Sequence, residues 1–303
     1  MNFAYSLAIA GALIFSLAGA GCISGTHGGP AYSVDQKGVL AVTCAEVSFN
    51  ETVLSANETL TFSRIVMHIP DGDVVIYLSS PKQPKAAVLY IPGAGEKMRG
   101  HADRMVRYAA AGYAFMFVDP RGNGAETPGI PFSEQLLRQD YSRFSKDNDL
   151  WPQYYQTICD ISSARQYLSS RLGVPVYAAG SSNGGRYAAV ATGVDRLFAG
   201  YIGISTTDWG ILESVKGQGT SEDIVRYTAS LEPSTYLTEI TPRPVWVFHA
   251  KNDPVIPFES GKTFFDKAGE PKKFIEFTGS HGINSDTDEK ILYQLEQIYG
   301  TGG

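Results

Sequence analysis

Charge is scarce in this chain, and positive charge scarcer: 18% of its 303 residues are charged, with 25 Lys plus Arg against 31 Asp plus Glu. The formal net charge is -6 and no basic block occurs, which removes the clustered Lys/Arg footprint that a nucleic-acid surface needs. Histidine (five) and cysteine (three) are few, and no His/Cys/Asp set has metal-ligand spacing, so neither metal nor cofactor is implied. No internal repeat is present, which sets aside solenoids and propellers. Apolar residues make up 43%, too many for a disordered chain and enough for one large core.

One long apolar run does occur. "FAYSLAIAGALIFSLAGAG" ends at Cys22 and reads as an export signal. Three readings stay open for residues 1–22: a cleaved signal peptide, a lipoprotein signal with lipid on Cys22, and an uncleaved membrane anchor. Each makes the protein exported, either secreted or held at a membrane through its N-terminus alone. Residues 23–36 are small and polar and read as a linker. In an oxidising compartment Cys44 and Cys159 can pair or stay as separate thiols. "NET" at Asn50 and again at Asn57 fits the glycosylation acceptor pattern.

Residues 37–303 read as a single α/β domain. "LTFSRIVMHI" and "DVVIYLS" flank "PDG" as a hairpin. From "AAVLYI" onward, short apolar runs alternate with helical periodicity: "YAFMFVD", "VPVYAAG", "FAGYIGIS", "PVWVFHA" and "KKFIEFT" are the strands. Continuous apolar runs are what strands buried on both faces require, so the pattern predicts a mostly parallel sheet with helices on both faces. "SDTDEKILYQLEQIY" closes the chain as a helix with a Ser-Asp start. Residues 121–150 and 207–242 fit the alternation poorly. They read as lid-like excursions over the C-terminal edge of the sheet, where such folds hold ligands.

The chemistry concentrates at strand ends. In "AAGSSNGGRYAAV" Gly180 and Gly184 frame Ser182 in a G-x-S-x-G pattern, whereas Ser181 lacks flanking glycines. A strand that turns at once into a helix holds such a serine strained and exposed, and the helix N-terminus offers free N–H groups to an oxyanion. A nucleophilic serine needs a base and the base an orienting acid. His281 in "TGSHGIN" is the best base; His249, inside "VWVFHA", reads as a packed strand residue. Asp253 in "HAKNDPVIP" is the first candidate acid, with Asp208 and then Asp119 as rivals. The second oxyanion donor is expected in "LYIPGAGEK", so that the amides of Ala94 and Asn183 form the hole.

These motifs together resemble the α/β-hydrolases. The resemblance rests on "PGAG", "VDPRGNGAE", "GSSNGG", "KNDPVIP" and "GSHG" and spans most of residues 86–300. The elbow and acid loop are similar to the prolyl-oligopeptidase, dienelactone-hydrolase and bile-acid-acyltransferase-like branches. The resemblance implies Ser182 as nucleophile, Asp253 as acid, His281 as base, and Ala94 and Asn183 as oxyanion donors. Pro92-Gly93 stands where many relatives carry His-Gly, a departure that bears on loop conformation. No room exists for the propeller that gates prolyl oligopeptidases. The expected activity is therefore hydrolysis of a small-molecule carboxylic ester, with amide or peptide hydrolysis and acyl transfer as alternatives on the same residues. An inactive exported binding protein is the alternative of another class. Trp209, Tyr227 and Trp151 are the expected pocket lining, with plain packing as the competing reading. The oligomeric state is not legible.

Overall fold

The computed structural model describes residues 31–69, 71–146, 150–217 and 219–300. The expectations for residues 1–22, lipidation of Cys22 included, lie outside them. Among the described residues no helix is long and apolar enough to cross a membrane.

The chain opens with a two-stranded ribbon, β1 (Ala31–Val34) against β2 (Leu40–Thr43). The linker expectation therefore fails at its C-terminal end. Tyr32 packs edge-on against Trp151 and tilted against Tyr155, with ring centroids 5.3 and 5.0 Å away, and that tertiary contact orders a segment whose own composition is too polar to do so. A Cys44–Cys159 disulfide follows directly after β2, so the paired alternative for these cysteines holds.

Next comes an antiparallel meander, β3 (Ser48–Ala56), β4 (Leu60–Ile69) and β5 (Gly72–Pro81), which contains the expected hairpin. Alternation of strands and helices then begins with β6 (Ala87–Ile91), α1 (Ala102–Ala110) and β7 (Ala114–Val118). After α2 (Glu134–Ser145) and α3 (Gln153–Leu172) come β8 (Val176–Ser181), α4 (Asn183–Val194) and β9 (Gly200–Ile204). The excursion α5 (Ile211–Val215), α6 (Glu222–Leu231) and α7 (Leu237–Ile240) leads to β10 (Val245–Ala250), α8 (Phe258–Asp266), β11 (Lys272–Phe277) and α9 (Ser285–Tyr299). The cap of α9 is Asn284, one residue before the Ser-Asp pair; its side chain accepts from the Thr287 amide.

All but the ribbon join one nine-stranded sheet in the order β11-β10-β9-β8-β6-β7-β5-β4-β3. Strands β6 to β11 run parallel, and β5 joins β7 antiparallel. Every residue of β6 to β10 is buried, which explains their unbroken apolar sequences. Met105, Tyr108, Ile291 and Leu295 bring α1 and α9 onto one face. Ile158, Ile161, Ala188 and Phe264 bring α3, α4 and α8 onto the other. Each fully buried Ile or Leu contributes roughly 1.5–3 kcal/mol. From β6 the chain moves outward to β7, then returns past β6 to β8. The crossovers diverge there, and a crevice at the C-terminal ends of β6 and β8 is the general consequence.

Candidate active site

Ser182 sits at that divergence, between the last residue of β8 and the first of α4. Its φ of 53° and ψ of -119° are strained for a residue with a side chain, on the order of 1–3 kcal/mol. The framing glycines are sterically required. A Cβ at Gly180 would meet the Gly184 backbone at 2.3 Å, and one at Gly184 would meet the Ile91 carbonyl oxygen at 2.1 Å. The start of α4 thus lies directly against the end of β6, which brings the Asn183 amide toward the loop carrying Ala94. Ser181 is fully buried and its hydroxyl has no hydrogen-bond partner among the described residues, so it is turned away from any substrate.

Asp253 follows β10 and His281 follows β11, and the fold brings them together. His281 Nδ1 lies 2.9 Å from Asp253 Oδ2 and 3.0 Å from Oδ1. Burial alone would raise the Asp253 pKa. The Ile256 and Val255 amides, both 2.9 Å from Oδ1, outweigh it with help from His281 and hold the carboxyl below its ordinary value. Asp253 is therefore a carboxylate wherever the imidazole beside it is to be oriented. No hydrogen bond joins Ser182 Oγ to His281; ligand-free serine sites are often loose at that contact and tighten with substrate.

The rival acids are occupied elsewhere. Asp208 accepts from the Ser234 amide at 2.8 Å and Lys267 Nζ at 2.7 Å. Asp119 accepts from the amides of Glu126 and Thr127, each at 2.7 Å, and closes the loop after β7. His249 is fully buried, with Nε2 3.0 Å from the Ile256 carbonyl, as a packed strand histidine that steadies the Asp253 loop.

Ala94 lies in the loop after β6, next to Gly95, whose φ is 75°. Neither the Ala94 nor the Asn183 amide has an acceptor among the described residues. The loop is held from below. Glu96 Oε2 accepts from the Gly93 amide at 3.1 Å and Tyr90 hydroxyl at 3.2 Å, and faces His101 Nε2 at 3.2 Å. Arg104 Nη1 lies 2.5 Å from His101 Nδ1, Nε donates to Asp288 at 2.7 Å, and Nη2 to the Ile283 carbonyl at 3.2 Å. A guanidinium only donates, so His101 Nδ1 accepts and its Nε2 carries the proton that points at Glu96. This chain ties the Ala94 loop to the segment two residues beyond His281. From the side, Asn123 accepts from the Gly95 amide and donates to the Glu96 carbonyl.

The three aromatics expected at the pocket separate. Tyr227 is 2% exposed and packs between α2 and α6 against Tyr141 and Phe144, so it is core. Trp151 meets Tyr32 and none of the site residues. Trp209 does approach the site, stacked on Phe132 at 3.4 Å, with the Arg186 guanidinium 4.3 Å from its ring centre. The sequence reading missed Glu96, Arg104, Asp288 and Arg186. Glu96 and Arg186 each stand inside a quoted motif, "PGAGEK" and "GSSNGGR". Arg104 and Asp288 carried no local signal.

No family model and no curated protein matches the chain. Solved structures do. An acetyl xylan esterase from Paenibacillus sp. R4 superposes with a TM-score of 0.66 at 18% identity, over 83% of this chain and 88% of that one. Acetyl Xylan Esterase 1 from Thermoanaerobacterium sp. JW/SL YS485 does so with 0.66 at 12%, over 84% and 89%. A glucuronoyl esterase from Solibacter usitatus gives 0.59 at 14%, over 84% and 87%. The fold is that of the α/β-hydrolases.

Proposed function

We propose that this chain is a serine hydrolase acting on carboxylic esters. The observation that carries the reading is the Asp253–His281 pair, 2.9 Å apart, in one fold with a strained Ser182 at the β8–α4 elbow. His281 takes the proton of Ser182 Oγ through Nε2 as that oxygen attacks the ester carbonyl. Asp253 fixes the imidazole with its proton on Nδ1 and stabilises the imidazolium that forms. The Ala94 and Asn183 amides receive the negative charge on the carbonyl oxygen. His281 then returns the proton to the departing alkoxide. Water, activated by the same imidazole, cleaves the acyl-serine and restores the hydroxyl. Esterases among the structural neighbours favour ester over amide bonds as the substrate class.

The Cys44–Cys159 disulfide supports export to an oxidising compartment, with residues 1–22 as the signal and Cys22 as the residue a lipoprotein signal would modify.

The test is hydrolysis of 4-nitrophenyl esters from acetate to palmitate, with product analysis in the presence and absence of alcohol acceptors. Ser182→Ala should abolish turnover. Asp253→Asn should lower kcat by about 10³–10⁴-fold, as loss of the orienting acid does elsewhere, while Asp208→Asn leaves it near wild type. Activity that survives Ser182→Ala, or an Asp208→Asn loss matching that of Asp253→Asn, would overturn the assignment. Wild type and variant equally inert would remove simple esterase activity and turn the test to amides, peptides and thioesters before the binding-protein alternative. Ester products of the acceptor alcohol would move the reading to acyl transfer.

A further inference from the structure

Arg186 stands one helical turn into α4 from Ser182 and has no part in the acyl-transfer steps. Its guanidinium is partly exposed, as are Trp209, Phe132, Asn183 and Ser182 around it. Two of its donors are spent on uncharged acceptors: Nε on the Thr207 carbonyl at 3.0 Å and Nη1 on Asn183 Oδ1 at 2.8 Å. Among the described residues Nη2 makes no hydrogen bond, and no Asp or Glu oxygen comes within 4.0 Å of the guanidinium.

The nearest acids do not supply a partner. Asp208 is drawn to Lys267 and the Ser234 amide. Glu232 accepts from the amides of Trp209, Gly210 and Leu212 at 2.8, 3.3 and 3.0 Å. Burial lowers the Arg186 pKa, and the fields of Tyr154, Glu232 and Asp208 do not make up the difference. The Asn183 contact puts the charge beside the residue that follows Ser182. The Trp209 face, itself backed by Phe132 at 3.4 Å and 16°, fixes the guanidinium plane. A planar cation held beside the residue that follows Ser182, with Nη2 unspent, matches the planar, two-oxygen geometry of a carboxylate.

We propose that Arg186, braced by Trp209 and Asn183, is a carboxylate-binding subsite, and that the preferred ester carries a free carboxylate near its scissile bond. The inference rests on the reading of Ser182 as nucleophile. Arg186 makes no contact with the reacting atoms in this scheme; it selects and positions.

Two matched pairs test it on the full chain. 4-Nitrophenyl hemiglutarate against 4-nitrophenyl pentanoate puts the carboxylate on the acyl side. 4-Acetoxybenzoate against phenyl acetate puts it on the alcohol side. In wild type, the anionic member of at least one pair should have the higher kcat/KM by about tenfold or more, after correction for hydroxide hydrolysis. Arg186→Gln should remove that ratio, Arg186→Lys should keep part of it, and added salt should erode it only where the cation remains. The ratio is internal to each variant, so general damage to the site cancels. A second arm needs no turnover: glutarate and 4-hydroxybenzoate are titrated calorimetrically into Ser182→Ala and into Ser182→Ala/Arg186→Gln. Binding should be lost in the double variant.

A preference that survives Arg186→Gln, or no preference in either pair together with no Arg186-dependent binding, overturns the subsite. Ser182-dependent hydrolysis with neither a carboxylate preference nor Arg186-dependent binding would reject the subsite alone. Arg186-dependent binding in a chain inert toward every ester would reject the hydrolase reading and keep the subsite.

Discussion

Two arginines lie on either side of Ser182 and are used in opposite ways. Arg104 has a carboxylate at 2.7 Å, a carbonyl at 3.2 Å and an imidazole nitrogen at 2.5 Å, and Asp288 is 2% exposed. Arg186 has a carbonyl, an amide oxygen and a tryptophan face, with no carboxylate. The Arg104 side is saturated and holds the Ala94 loop and the His281 segment as one piece. The Arg186 side is unsaturated and partly exposed. The proposed ester-hydrolysing site would need both: donors that do not move when charge develops, and a face left to meet the substrate. Pairing of a buried cation, rather than its mere presence, therefore separates framework from recognition.

The sharpest way to break this comparison is to treat both arginines alike. Arg104→Gln leaves the buried Asp288 carboxylate with the more distant Arg107 guanidinium, 3.5 Å away, and should cost about 3 kcal/mol of stability. It also releases the Ile283 carbonyl, so kcat on every ester should fall. Arg186→Gln removes a half-buried charge with no carboxylate partner and should cost no more than about 1 kcal/mol. Urea unfolding of the two variants measures the difference. Equal costs would mean that Arg186 is framework too.

A covalent constraint that touches neither arginine supplies the control. Cys44 and Cys159 are joined across 115 residues, between the N-terminal ribbon and α3. Replacing both by serine should lower stability by about 3 kcal/mol, near the middle of the range for native disulfides. The kcat/KM ratio between anionic and neutral esters should not change. Stability and selectivity would then dissociate in both directions: one variant loses firmness and keeps selectivity, while Arg186→Gln does the reverse. A shift of the ratio in the disulfide variant would show that selectivity follows general rigidity.

How far each side could be read from sequence follows the same division. The parallel strands were legible because burial on both faces forces unbroken apolar runs, and Gly, Pro and Asp mark where those runs end. Ser182, Asp253 and His281, the proposed triad, stand at such ends, which is where local pattern points. Arg104 and Asp288 are 184 residues apart in the chain, and their pairing exists only once α9 packs on α1. Tyr227 misled because an aromatic in a polar excursion looks like pocket lining, whereas the helices of the excursion pack it into the same core as the sheet. Tyr32 misled in the other direction: four residues of polar strand are ordered by rings 119 and 123 positions away in sequence. Local chemistry was legible; its long-range support was not.

The last of the expected effects concerns that excursion. Asp140 on α2 is 1% exposed and accepts from the Gln153 and Tyr154 amides at 2.7 and 2.9 Å, which fastens α2 to the start of α3. Burial pushes its pKa up to about 6, because the two amides and Arg143 only partly offset the loss of water. The folded value lies above the ordinary 3.8, so between about pH 4 and 6 the folded chain binds the extra proton. Asp140's contribution therefore falls as pH rises through that window, by on the order of 3 kcal/mol. Thermal melts from pH 4 to 7 should show this decline in wild type and a flatter curve in Asp140→Asn. Phe132 precedes α2 by two residues and backs Trp209, so loosening α2 should reach the Arg186 face before it reaches His281. The carboxylate preference of wild type should accordingly soften toward neutral pH, while turnover of neutral esters is set by the saturated side. A preference that strengthens from pH 5 to 7 by more than the ionisation of the ester's own carboxyl accounts for would show that α2 does not brace the Arg186 face.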